Sequence, residues 1–113
     1  MQNRVLTGCA KQLQVVSTMS EPRSVETLRR LIDAVDSELL RLLNRRAELA
    51  VEAGRAKKNA GLPICDTERE GNIIARMCRS NPGPLDEVAV VKSFRRIIRE
   101  TRRIETRYAQ PGH

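Results

Sequence analysis

Seven residues of this chain have the charge, polarity and spacing that a small-molecule site needs. Arg46 and Lys57 stand eleven apart, Asp66, Arg69 and Glu70 fall within five positions, and Thr101 and Glu105 are four apart. Arg46 interrupts a heptad-like seam of Leu28, Ile32, Val35, Leu39, Leu42, Leu49, Ala53 and Ala56. A guanidinium desolvated among leucines is costly unless an anion neutralises it, so this position asks for a carboxylate or an anionic ligand. Eleven residues are about three helical turns, which puts Lys57 on the same face as Arg46. A second stripe, Val91, Phe94, Ile98, Thr101, Glu105 and Tyr108, turns Thr101 and Glu105 inward.

Each residue taken singly has an ordinary explanation. Thr101 can bond a carbonyl of its own helix, and Glu105 can pair with an arginine or reach solvent. Lys57 suits a helix C-terminus, and Thr67-x-x-Glu70 reads as a capping box with Asp66 favoured beside it. Their convergence is what ordinary packing leaves unexplained: it describes a small, charged, water-poor pocket. The pocket holds no nucleophile with a base beside it. Cys9, Cys65 and Cys78 form no CxxC pair and His113 is the only histidine, so no metal site or disulfide framework is expected, and the cysteines are expected to be reduced.

Holding these side chains together falls to three helices. Ser24 is suited to cap a helix over residues 25–58, which contains no proline and is stopped by Asn59-Ala60-Gly61-Leu62-Pro63. A short helix follows over 67–80, then the turn Asn81-Pro82-Gly83-Pro84, then a medium helix over 85–108. The expected fold is therefore all-α, a single helical domain over 24–108 between a flexible N-terminal tail (1–23) and a C-terminal tail (109–113). Met19 is an alternative start. Three helices of such unequal length leave the long one's stripe uncovered, which predicts an intertwined homodimer with paired long helices.

Composition narrows the partners. The 113 residues suit one small domain, and 21 basic against 14 acidic residues give a net charge of +7, compatible with nucleic acid, an acidic surface or a small anion. One Tyr, one Phe and no Trp provide almost no surface for stacking bases. Arg95, Arg96, Arg99, Arg102, Arg103 and Arg107 could meet duplex phosphates, but most of that run reads as a solvated face, so no nucleic-acid partner is expected. Leu6-Thr7-Gly8-Cys9 is read as a chance likeness to a lipoprotein cleavage site. No stretch approaches the ~20 apolar residues of a membrane span, and a cytoplasmic location without membrane contact is expected.

From Leu28 to Tyr108 the chain resembles the all-helical chorismate mutases. The resemblance rests on Leu28-Arg29-x-x-Ile32-Asp33-x-x-Asp36, Leu42-Leu43-Asn44-Arg45-Arg46-Ala47-Glu48-Leu49-Ala50, Gly54-Arg55-Ala56-Lys57 and Pro63-Ile64-Cys65-Asp66-Thr67-Glu68-Arg69-Glu70. The 81–85 turn and Phe94-Arg95-Arg96-Ile97-Ile98 look like the mutase segment of bifunctional mutase-prephenate dehydratases, and a stand-alone mutase is expected here. The resemblance implies rearrangement of chorismate to prephenate, in phenylalanine and tyrosine synthesis, without cofactor, metal or covalent intermediate. By position it implies that Arg29, Arg46 and Lys57 clamp the substrate's carboxylates, with Lys57 also at the ether oxygen. Asp66, Arg69 and Glu70 are then around the substrate hydroxyl and the carboxylate network, Thr101 holds a position commonly Ser or Thr, and Glu105 is the second ether-oxygen contact.

Arg29 precedes Arg46 by seventeen residues, about 25 Å along a helix and farther than so small a substrate spans, so it should come from the other protomer. Only a protonated Glu105 can donate to the ether oxygen, which predicts activity that falls as this residue ionises. Two alternatives stay open at this level: an isochorismate-pyruvate lyase on the same scaffold, and a basic helical dimer that binds nucleic acid or docks on a shikimate-pathway partner enzyme.

Overall fold

The computed structural model describes residues 22–109, and over these the chain forms three helices and no strand. Helix α1 is Val25–Ala60, α2 is Thr67–Ser80 and α3 is Glu87–Ala109. The tail expected over 1–23 lies outside the described residues except for Pro22 and Arg23. The tail expected over 109–113 does too, except for Ala109, the last residue of α3.

Ser24 caps α1 as expected, its hydroxyl accepting from the Thr27 amide at 3.1 Å. The helix stops where Gly61 enters the left-handed region (φ 71°), which a residue without a Cβ adopts freely. The Gly61 amide donates to the Lys58 carbonyl at 3.1 Å and the Leu62 amide to the Lys57 carbonyl at 2.8 Å. This pair of bonds is a Schellman motif, and it fixes the last turn of α1, the one that carries Lys57.

Helix α2 starts where expected but is capped differently. Asp66, not Thr67, is the N-cap, its carboxylate accepting from the Arg69 amide at 3.0 Å. The expected capping box does not form, because Glu70 turns away to Arg102 instead of reaching back to its own helix start. In the connection to α3, Asn81 Oδ1 accepts from the Gly83 amide at 3.0 Å and Gly83 is left-handed (φ 82°). Helix α3 begins two residues later than the spacing predicts, after Asp86 accepts from the Ala89 amide at 2.8 Å.

Helix α3 is the centre of the arrangement: it packs against both α1 and α2, which do not pack on each other. The buried apolar core is small, consisting of Ile73, Val90 and Ile98. Val90 lies one residue off the predicted α3 stripe and Tyr108 at its far end is exposed, because a 3.6-residue period drifts sideways along a straight helix. Leu28, Ile32, Val35, Leu39 and Leu42 of the α1 seam are all exposed, Val35 by 64%. Among the described residues no helix is long and apolar enough to cross a membrane.

Candidate active site

Where the end of α1, the start of α2 and the C-terminal half of α3 converge, they line an open cavity of about 340 Å³. Helix α1 contributes Arg46 and Lys57 to its lining, α2 and its cap contribute Asp66, Arg69 and Glu70, and α3 contributes Thr101, Arg102 and Glu105. Leu49, Ala53, Ile64, Ile73 and Ile98 supply apolar wall between them. Apolar wall beside the charges reduces their screening by water, which strengthens their hold on a bound anion.

Lys57 and Glu105 form the innermost ion pair, Nζ to Oε2 at 2.8 Å, with the Glu105 side chain 9% exposed. The ammonium also donates to the Ile64 carbonyl at 3.0 Å. Two of its three protons are thus committed within the chain, and the third is free for a ligand. Glu105 can lie this deep because α1 presents the buried Gly54 opposite it: a Cβ there would meet Glu105 Cγ at 2.6 Å. The absent side chain makes the room that the carboxylate occupies.

Arg46 donates to Thr101 Oγ1 at 2.5 Å, and the Thr101 hydroxyl in turn lies 2.9 Å from the Ile97 carbonyl. The hydroxyl orients the guanidinium and leaves its charge uncompensated. Burial lowers the Arg46 pKa from its ordinary value, the like charge of Arg69 lowers it further, and Glu105 opposes both. The guanidinium charge is therefore less well stabilised than in water, and a bound anion would offset that cost. At the mouth, Arg102 Nη1 contacts both Glu70 oxygens, at 2.8 and 3.0 Å. Arg46 and Arg69 have no ion pair among the described residues.

Seven of the eight residues expected to form a site line this one cavity; the eighth, Arg29, is exposed on the first half of α1 and does not. Three contributors are absent from the sequence reading. In the sequence Gly54 is only part of a matched motif, Ile64 acts through its main chain, and Arg102 reads as part of the solvated basic face. Arg102 stands one residue after Thr101 and three before Glu105, and that offset from an inward pair is the signal that marks it as facing the cavity. The described residues offer no cluster of His, Cys, Asp and Glu that could hold a metal ion.

Comparison with known proteins finds relatives over most of the described residues. The family profile for chorismate mutase type II matches residues 28–106. The chain is 30% identical over 86 residues to the chorismate mutase of Methanocaldococcus jannaschii, covering 74% of this chain and 85% of that protein. It is 42% identical over 78 residues to a bifunctional chorismate mutase/prephenate dehydratase of Aquifex aeolicus, a match that covers 66% of this chain but only 22% of that protein. The chain thus spans about a fifth of the bifunctional relatives it matches. A solved structure of chorismate mutase (form II) from Thermus thermophilus superposes with a TM-score of 0.73 at 36% identity, covering 76% of this chain and 98% of that one.

Proposed function

The chain belongs to the chorismate mutase type II family, and on that premise we propose that it rearranges chorismate to prephenate in the synthesis of phenylalanine and tyrosine. The observation that carries this reading is the charge pattern of the cavity. Glu105 is paired with Lys57, Glu70 with Arg102, and Asp66 is engaged as a helix cap, which leaves Arg46 and Arg69 as cations without anions. Two unpaired guanidinium groups in one cavity suit a dicarboxylate, and chorismate is one.

The reaction is intramolecular: one ether C–O bond breaks while one C–C bond forms, and nothing is gained or lost. Catalysis then needs the substrate held in its compact, chair-like form and positive charge where the ether oxygen becomes electron-rich. Arg46 and Arg69 hold the carboxylates, with Arg46 kept in place by Thr101. The uncommitted proton of Lys57 is directed to the ether oxygen, and Glu105, 2.8 Å from the ammonium, holds it in place. That contact strengthens as the bond breaks, so it favours the transition state over the ground state. Asp66 and Glu70 meet the substrate's hydroxyl.

The active form is proposed to be a homodimer with two shared sites. Among the described residues three buried apolar side chains are too few to hold three helices together, and a row of exposed leucine, isoleucine and valine covers the first half of α1. Antiparallel pairing of two long helices covers that row and brings Arg29 of each protomer to the other's cavity. The test is incubation of the purified protein with chorismate, and separately with isochorismate, with products identified by NMR. Prephenate from chorismate is the expected result. Pyruvate and salicylate from isochorismate would make the protein a lyase, and inertness toward both would overturn the reading.

A further inference from the structure

We infer that Arg102 is a positioning residue of this site, whose task is to neutralise Glu70 so that the cavity accepts a doubly negative substrate. The inference rests on the mutase reading and adds to it a residue outside the set to which that reading gives a role. Arg102 springs from α3 beside Thr101, lines the same cavity as Arg46 and Lys57, and reaches across to α2, where one guanidinium nitrogen contacts both oxygens of Glu70. The two side chains are 35% and 24% exposed, so water screens the pair only in part. Among the described residues this is the side-chain ion pair that joins α2 to α3, and it adds to the packing of those two helices on each other.

The charge balance of the cavity explains what Arg102 does. Arg46, Lys57, Arg69 and Arg102 face Asp66, Glu70 and Glu105. Without Arg102 the four cations become three, and Glu70 becomes a partly buried carboxylate with no partner. It then either repels the substrate's carboxylates directly or competes with them for Arg46 and Arg69. Both outcomes weaken substrate binding, and neither removes a contact to the ether oxygen. The defect should therefore fall on KM rather than on kcat.

The experiment compares the wild type with Arg102→Met, Arg102→Lys, Glu70→Gln and the Arg102→Met/Glu70→Gln pair, measuring kcat, KM and thermal unfolding for each. Methionine keeps the length and packing of the arginine stem without its charge. Arg102→Met should raise KM about tenfold or more with kcat within about threefold of wild type. Arg102→Lys should recover much of the loss. Against the Glu70→Gln background the same Arg102→Met change should raise KM only slightly, because the carboxylate it neutralises is gone. A KM rise undiminished in that background would mean that Arg102 acts on the substrate itself, and a lowered melting temperature with unchanged KM would make its role structural; either overturns the inference while the mutase reading stands. A wild type inert toward chorismate would overturn the reading and this inference with it.

Discussion

Gly54→Ala is the sharpest test of how the cavity is built, because it separates the stability of the fold from the placement of one carboxylate. A Cβ at Gly54 would lie 2.6 Å from Glu105 Cγ and 3.5 Å from its Oε2. Carbon atoms rest at about 3.5–4.0 Å, so one side must yield by roughly 1 Å. The atom that is struck is not a loose side-chain end: Glu105 is buried, and Lys57 holds its carboxylate at 2.8 Å. A displacement of about 1 Å takes that contact outside hydrogen-bonding range. Misplacement on this scale costs about a hundredfold in rate where geometry carries the catalysis.

The stability cost is offset by a gain in helix propensity, and the cost to activity is not. Alanine in place of glycine inside a helix contributes about 0.5–1 kcal/mol, against about 1–3 kcal/mol for overpacking, so the net destabilisation lies between about 0 and 2.5 kcal/mol. Turnover is followed by the loss of chorismate absorbance, and unfolding by circular dichroism. The expected result is kcat down about a hundredfold in a protein that still melts cooperatively. Turnover within about threefold of wild type would refute the argument, as would a loss of activity that only follows the unfolded fraction.

The other expectations are simpler to state. Lys57→Ala should raise the barrier by on the order of 3 kcal/mol, over a hundredfold in kcat, without lowering the melting temperature by more than a few degrees; wild-type-like turnover would remove Lys57 from the mechanism. Glu105→Gln keeps a hydrogen-bond acceptor for Lys57 and should stay within about tenfold of wild-type turnover, whereas Glu105→Ala should lose about a hundredfold or more; equal turnover for the two would exclude a hydrogen-bonding role. Arg29→Ala and Arg46→Ala should each be nearly inactive alone. Mixed after unfolding and refolding together, they should recover about a quarter of wild-type activity, because half the dimers are hybrids and one of two sites in each hybrid is intact; no recovery would place Arg29 outside the shared site.

Much of the fold is legible in the sequence because the signals are local. The Ser24 cap, the Gly61 stop and the Asn-Pro-Gly-Pro turn are each set by a few adjacent residues, and the helices end within two residues of where those signals put them. Thr101 and Glu105 break an apolar stripe, which marks them as inward, and both are buried. Arg46 is marked in the same way. A polar residue at an apolar position is informative because burying it without a partner is so unfavourable that the fold must supply one.

What sequence alone leaves open is the choice among partners that electrostatics makes nearly equal. Glu70 could close a capping box with Thr67 or pair with Arg102, and both are good local solutions. The outcome depends on where α3 runs relative to α2, and that is a matter of tertiary packing, in which Ile73 and Ile98 are buried, not of the sequence around either charge. Gly54 shows the same gap from the other side. In a sequence it reads as a small residue in a helix, and its role exists only once α3 brings Glu105 against it. The arginines of α3 differ most sharply: Arg103 bonds Glu100 on its own helix and Arg102 bonds Glu70 on another, although the two are neighbours of the same type. One residue is a rotation of about 100° on a helix, and here that rotation separates a solvated charge from one that lines the cavity.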